Sequence, residues 1–115
     1  MEHSKRRAIA YIVGRIISGN ESGAVFDYKD SSYFNFSGEI GSSISVFDYT
    51  RSSYLTGDKS SIFDYNSGKY ITLNIEGTNF SGFDYESGKY YSGNVNSNSI
   101  SFFDYDGSSY YNFSI

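Results

Sequence analysis

The large apolar residues of this chain recur at nearly fixed intervals, and the intervals predict β-hairpins. The tripeptide Phe-Asp-Tyr occurs five times, and its tyrosines are 21, 16, 20 and 20 residues apart. A second tyrosine always follows five residues after the first, across the variable inserts KDSS, TRSS, NSGK, ESGK and DGSS. A connection of fixed length and free composition is typical of a hairpin loop, because loop length selects the turn type and the register.

A second kind of turn alternates with these loops. Strand-like stretches after the trailing tyrosines are interrupted by polar turns near Gly41, Gly77 and Asn96. One repeat is therefore two strands and two turns in about 20 residues, since strands are usually about 5–6 residues long. Five repeats predict an all-β, antiparallel up-and-down meander of about ten strands. Both strand faces are partly apolar, so we expect the sheet to be curved or closed into a barrel.

Residues 1–115 are predicted to form a single β-repeat domain. We expect a flexible basic start at 1–8, and the stretch AIAYIVGRII behind it predicts the first strand. The third repeat is about four residues shorter than the others, which predicts a stubby hairpin at a corner or an edge of the sheet. The predicted repeats lie at about 14–34, 35–55, 56–71, 72–91 and 92–111.

Two registers are open for the hairpins. Glycine is third in NSGK and ESGK, which favours a type I turn followed by a left-handed residue and a bulge. Tyr85 would then pair with Lys89 and Asp84 with Tyr90, so that Phe83 and Tyr85 share one face and Asp84 lies on the other. The alternative is a four-residue loop with Tyr85 opposite Tyr90. In KDSS and TRSS a serine would have to adopt the left-handed conformation, which costs more than for glycine.

Composition supports strands and excludes several kinds of chemistry. The chain contains 13 tyrosines and 10 phenylalanines but no cysteine, proline or tryptophan. Aromatic residues favour strands, and their fixed spacing argues against low-complexity disorder. Without cysteine there is no disulfide or thiolate metal site, which favours a reducing compartment such as the cytoplasm. No apolar run approaches the length of a membrane-spanning helix, so no transmembrane segment is predicted.

Charge is unevenly distributed along the chain. The net charge is −4, yet four of the nine lysines and arginines lie within the first 17 residues. The aromatic-rich remainder is acidic, whereas a nucleic-acid-binding protein needs a basic face to neutralise phosphates. We therefore expect no nucleic-acid partner.

The repeated aspartates and the trailing tyrosines are the candidate ligand-binding residues. Aspartate beside an aromatic ring suits the hydroxyls and the apolar faces of sugars, and repeated shallow sites would suit a lectin acting through multivalency. The alternative is structural: each carboxylate accepts hydrogen bonds from a turn amide, a serine or the next tyrosine hydroxyl. The candidates are Asp27, Asp48, Asp64, Asp84, Asp104, Tyr33, Tyr54, Tyr70, Tyr90 and Tyr110.

The sequence predicts no catalytic residue, metal site or cofactor. His3 is the only histidine and lies in the segment expected to be flexible, so neither a zinc site nor a serine–histidine pair is expected. No phosphate-binding loop of the GxxxxGK type is present. Five equivalent aspartates argue against one privileged acid–base pair. We therefore expect that the protein is not an enzyme.

The number of aromatic side chains exceeds what a small core can bury. Some must be exposed or packed against another chain. The leading hypothesis is a non-enzymatic β-repeat binding or scaffolding module. Its aromatic-rich sheet surface would contact a protein partner or a second copy of the chain. The alternative is a carbohydrate-binding, lectin-like module that uses the Asp–Tyr pairs.

The unit FDYESGKYYSGNV resembles MORN-type β-hairpin repeats, which combine an aromatic strand, a glycine turn and a Y-x-G sequence. The matching residues are Tyr85, Gly88, Tyr91 and Gly93, and more loosely Tyr65, Gly68 and Tyr70. The glycine-spaced second strand of that family and its charged residue after Y-x-G are missing. The resemblance implies an elongated, non-catalytic scaffold that contacts other proteins or membrane surfaces.

Overall fold

Consecutive antiparallel strands build the wall of a barrel around one helix. The computed structural model describes all residues, 1–115. In chain order the elements are α1 (His3–Ser18), β1 (Ala24–Asp27), β2 (Ser32–Ile40), β3 (Ile44–Asp48), β4 (Ser53–Gly57), β5 (Ser61–Asp64), β6 (Lys69–Thr72), β7 (Asn74–Glu76), β8 (Asn79–Asp84), β9 (Lys89–Asn96), β10 (Ser99–Asp104) and β11 (Ser109–Ser114).

Ten of the eleven strands close into the barrel. Neighbours in the wall follow chain order from β1 to β6 and from β8 to β11, and β11 returns to β1, with Phe26 opposite Ser114. A single pair, Ile71 opposite Asp84, joins β6 to β8. The short β7 pairs with β8 as an additional strand. The prediction of an all-β antiparallel meander of about ten strands, curved or closed into a barrel, is therefore confirmed.

The amino-terminal segment is a helix inside the barrel. Residues 8–13 are all 0–1% exposed, so no side of α1 faces solvent along this stretch. The predictions of a flexible start at 1–8 and of a first strand in AIAYIVGRII are both wrong. A strand inside a closed wall has no free edge to pair with, whereas a helix satisfies its backbone groups internally. A helix that is apolar on every side is typically a buried one.

The helix fills the interior space that a ten-stranded barrel leaves. The Tyr11 ring stacks on Phe36 of β2 at 4.5 Å between centroids. Gly14 lies so close to β10 that an added Cβ would be 2.7 Å from Ile100 Cδ1. The chain leaves α1 at Gly19, whose φ of 73° is readily adopted only by glycine. Inward strand residues complete the core, among them Val25, Val46, Leu55, Ile62, Ile71, Phe80, Tyr91, Phe102 and Phe113.

The Phe-Asp-Tyr hairpins have a register that differs from both predictions. Asp84 pairs with Lys89 and Phe83 pairs with Tyr90, so the loop consists of residues 85–88. The expected pairings of Tyr85 with Lys89 and of Tyr85 with Tyr90 are both wrong. Because paired residues share a face, Tyr90 lies on the outer face with Phe83, and Asp84 points into the barrel.

The aspartate side chain explains this register, because it begins the loop one residue earlier than expected. Asp84 Oδ1 accepts the N–H of Glu86 at 3.3 Å, and the Gly88 N–H donates to Asp84 O at 2.8 Å. The third residue of every insert has a positive φ, as expected for glycine and at higher cost for serine. These residues are Ser31, Ser52, Gly68, Gly88 and Ser108.

The molecule is nearly isometric, with extents of 29 × 28 × 28 Å. The elongated shape implied by the resemblance to MORN-type repeats is therefore wrong. The short third repeat forms the stubby β5 and β6, each of four residues, beside the sparse β6–β8 joint. The helix α1 does not combine the length and the apolar character that crossing a membrane requires.

Candidate functional site

The repeated aspartates form a ring inside one end of the barrel. Side chains alternate between the two faces of a strand, so each aspartate points inward between an outward phenylalanine and an outward tyrosine. All five carboxylates lie at the end of the barrel that carries the Phe-Asp-Tyr loops, and their residues are 0–2% exposed. The members of this aspartate ring are Asp27, Asp48, Asp64, Asp84 and Asp104.

Each member of the aspartate ring stabilises its own loop. In all five, Oδ1 accepts the backbone N–H two residues further on, at 2.9–3.3 Å. A serine hydroxyl adds a bond in one repeat, from Ser67 to Asp64 Oδ2 at 2.9 Å. The structural interpretation of these carboxylates, as acceptors for turn amides and serines, is thus confirmed.

The first two turns of α1 carry the cations that neutralise the ring. Lys5 Nζ lies 3.0 Å from Asp84 Oδ1, and Arg6 Nε donates to Asp104 Oδ2 at 2.8 Å. Arg7 Nε donates to Asp27 Oδ2 at 3.2 Å. The positive end of the helix dipole faces the same carboxylates and adds to the attraction.

One arginine from the wall serves the two aspartates that α1 reaches least. Arg51 Nε donates to Asp48 Oδ2 at 2.7 Å, and its Nη1 donates to Asp64 Oδ2 at 3.0 Å. Sequence reasoning missed this network, although its signal was present. The basic start and the acidic repeats have opposite charges, and buried carboxylates require partners of that kind.

The pKa values of Asp84 and His3 are shifted within this network. Burial alone would raise the pKa of Asp84, but hydrogen bonds from Lys5, Ser87 and Glu86, together with the positive charge of Lys5, outweigh it and hold the pKa below its ordinary 3.8. Burial lowers the pKa of His3 below 6.5, although its hydrogen bond to Asp27 acts in the opposite direction. Removing one partner from such a buried pair is destabilising by about 3–5 kcal/mol.

His3 lies in this network and not in a flexible segment. Its Nε2 is 2.6 Å from Asp27 Oδ2, and its ring stacks on Phe113 with centroids 5.9 Å apart. His3, Asp27 and Asp30 are close enough together to coordinate a cation. Arg7 already occupies that role, because its guanidinium contacts both Asp27 and Asp30.

The outer face of the same end carries an aromatic girdle. In each repeat the phenylalanine of Phe-Asp-Tyr contacts both of its tyrosines, at centroid distances of 4.7–5.0 Å and steep interplanar angles. The ten tyrosines are 51–72% exposed. The tyrosines of the girdle are Tyr28, Tyr33, Tyr49, Tyr54, Tyr65, Tyr70, Tyr85, Tyr90, Tyr105 and Tyr110.

The structure does not bring the predicted Asp–Tyr pairs together. The aspartates lie inside the wall, and the trailing tyrosines lie outside it. Asp27 and Tyr33, for example, are on opposite faces, because Tyr33 pairs with Phe26. A sugar site made of these pairs is therefore not formed, and only the five tyrosines remain accessible to a ligand.

A groove on the outer face of β7–β11 was not predicted from the sequence. Its volume is about 670 Å³, and it extends from the girdle toward the opposite end of the barrel. Aromatic rings line one end, and amide, hydroxyl and carboxylate groups line the rest. Its lining includes Phe103, Tyr105, Tyr110, Asn79, Asn94 and Glu76.

Comparison with known proteins gives no relative: no family model matches the chain, and neither a curated protein nor a solved structure shows significant similarity to it.

Proposed function

We propose that the protein is a non-enzymatic binding module whose aromatic girdle is the contact surface for a protein partner. The observation that carries this proposal is the exposure of the ten girdle tyrosines, each more than half accessible to solvent. A folded protein of this size rarely leaves so much aromatic surface exposed without using it.

The construction of the girdle suits protein recognition. Tyrosine supplies a large, rigid and amphipathic contact at a low cost in side-chain entropy. Each phenylalanine, such as Phe47 between Tyr49 and Tyr54, supports two tyrosines and restrains their rings. Tyrosine is also enriched at the residues that carry most of the energy of protein interfaces.

The interior supports the same proposal. The barrel lumen is filled by α1, and the aspartates at its end are all engaged in hydrogen bonds and ion pairs. A ligand therefore meets the outer wall, where the girdle is the largest apolar feature.

The proposal is tested by removing the girdle without disturbing the core. A variant carrying Tyr33→Thr, Tyr54→Thr, Tyr70→Thr, Tyr90→Thr and Tyr110→Thr should fold normally, since these side chains are exposed and threonine favours strands. Proximity labelling in the native host should lose the partners that the unmodified protein labels. A matched control carries Asn35→Thr, Ser45→Thr and Ser61→Thr on the outer wall.

Sedimentation of the purified proteins separates the two kinds of partner. If the girdle binds a second copy of the chain, the unmodified protein self-associates and the five-tyrosine variant is monomeric. Identical labelling and identical sedimentation of the variant and the unmodified protein would show that the girdle is not the contact surface.

A further inference from the structure

The groove on β7–β11 differs from the rest of the girdle in the residues that lie beside its tyrosines. Phe103, Tyr105 and Tyr110 line it together with Asn79, Asn94 and Glu76. A second depression adjoins it across Ser81 and Ser92 and extends to Tyr90. Tyr54, in the corresponding position of another repeat, lines neither depression.

The dimensions of the groove fit an extended small ligand. From Ser101 to Tyr105 it covers about 13 Å along β10 and the first residue of the following loop, at about 3.3 Å per residue. Across β7 to β11 it spans four strand spacings, or about 19 Å. Its volume of about 670 Å³ lies within the usual range of small-ligand sites, about 300–1,000 Å³.

The lining chemistry selects against charged ligands. Glu76 is the one ionisable group in the groove apart from the two tyrosine hydroxyls, and no lysine or arginine lines it. An anion would be repelled by Glu76 and by the net charge of −4. A single exposed carboxylate gives little affinity for a cation.

The same chemistry matches a neutral sugar. Asparagine amides and serine hydroxyls both donate and accept hydrogen bonds, as sugar hydroxyls do. A carboxylate accepts two such bonds, and charge-assisted bonds are the stronger ones. The exposed tyrosine rings provide flat apolar surface for the C–H face of a sugar ring.

We propose that this groove binds a neutral oligosaccharide. Tyr105 and Tyr110 stack against one sugar ring, and Asn94 and Glu76 bind the hydroxyls of a neighbouring ring. The site is separable from the proposed protein contacts, because Asn94 and Glu76 do not belong to the girdle.

Chemical-shift titration of the ¹⁵N-labelled protein tests the proposal. The probes are cellotriose, maltotriose, mannotriose and N-acetylchitotriose, each up to about 10 mM, which detects the weak binding that a shallow site gives. At least one probe should shift amide signals of β8, β9 and β10 while leaving those of β3 and β4 unchanged. No response to any of the four, or shifts spread over all five repeats, would overturn the proposal.

Matched variants locate the site. Tyr110→Ala should weaken binding of the active probe about tenfold, since loss of one aromatic contact of about 1.4 kcal/mol has that effect. Asn94→Ala and Glu76→Gln should also weaken binding, and neither touches the girdle. Tyr54→Ala is the control and should bind as the unmodified protein does. Equal losses from Tyr54→Ala and Tyr110→Ala would exclude the groove as the site, yet leave the proposed protein contacts untouched.

Discussion

At the scale of single residues, the aspartate of each Phe-Asp-Tyr motif makes two kinds of contact. In Asp27, Oδ1 accepts the Lys29 N–H and Oδ2 binds Arg7, so one carboxylate fixes a loop and anchors the helix. The sequence allowed the first contact to be predicted, since aspartate beside a turn commonly caps it. The second contact could not be predicted, because it joins residues that only the tertiary fold brings together.

Left-handed serines offer a test at this scale. Ser52 is exposed and has a φ of 50°, a conformation that costs a non-glycine residue about 1–2 kcal/mol. Ser52→Gly should raise the free energy of unfolding by about 0.5–1 kcal/mol, because glycine adopts this conformation without that cost. The gain is smaller than the full cost, since glycine also increases the entropy of the unfolded chain. Thermal unfolding followed by circular dichroism measures the change. Gly88→Ala is the inverse control: its φ is 70° and no atom lies within 4 Å of the added Cβ, so it should destabilise. A lower melting temperature for Ser52→Gly would contradict this account of the loop.

At the scale of elements, strands could be predicted from sequence and the helix could not. Repeated loops of one length identify hairpins whatever their surroundings. The stretch AIAYIVGRII is rich in isoleucine and carries no helix-start signal, so local propensity favours a strand. Only the closed wall, which offers α1 no free edge, decides for a helix. The register also escaped prediction, because a side chain of the loop and not the glycine sets where the loop begins.

The joint between β6 and β8 is the least regular contact between neighbouring strands of the wall. One ladder pair and a hydrogen bond from the Tyr85 N–H to Tyr70 O at 3.1 Å join the two backbones, and side chains add further bonds. The Tyr91 hydroxyl donates to Thr72 O at 2.7 Å, and the Phe83 N–H donates to Thr72 Oγ1 at 2.8 Å. A Cβ on Gly82 would collide with the same carbonyl oxygen, so glycine is required there.

Tyr91→Phe tests whether the hydroxyl holds this joint together. The variant leaves Thr72 O without its partner and should cost about 1–2 kcal/mol of stability. Hydrogen exchange of the Phe83 and Tyr85 amides should accelerate. Tyr11→Phe is a matched control, because the Tyr11 hydroxyl makes a comparable bond to Ser22 O at 2.8 Å, away from the joint. If both variants change exchange at the joint equally, the Tyr91 hydroxyl has no special role there.

At the scale of the whole molecule, charge is divided between the helix and the wall. Three of the four lysines and arginines that pair with the aspartate ring lie on α1, and the ring carboxylates lie on the strands. Docking of the helix therefore depends on the ionised state of the aspartate ring as well as on apolar burial. High salt should weaken this attraction only slightly, because buried pairs are poorly screened.

Acid should therefore reduce the free energy of unfolding in two stages as the pH falls. The pKa of His3 is lowered in the folded state, so below pH 6.5 the unfolded chain binds a proton more readily and stability begins to fall. The pKa of Asp84 is also lowered, so stability falls further as the pH drops below 3.8. Urea unfolding midpoints measured across this range would follow both stages. His3→Gln should abolish the first stage and keep the second, whereas a midpoint that rises on acidification would contradict the charge network.

The enclosure of α1 has a consequence for the order in which the chain assembles. The wall consists of two well-paired arcs, β1–β6 and β8–β11, which are joined by the sparse β6–β8 joint and by the short β1–β11 contact. The second contact joins strands at opposite ends of the sequence, and such distant pairings form late. A helix cannot enter sideways through a finished wall. We therefore expect the arcs to fold around α1 as a template, with β1–β11 pairing as the final step.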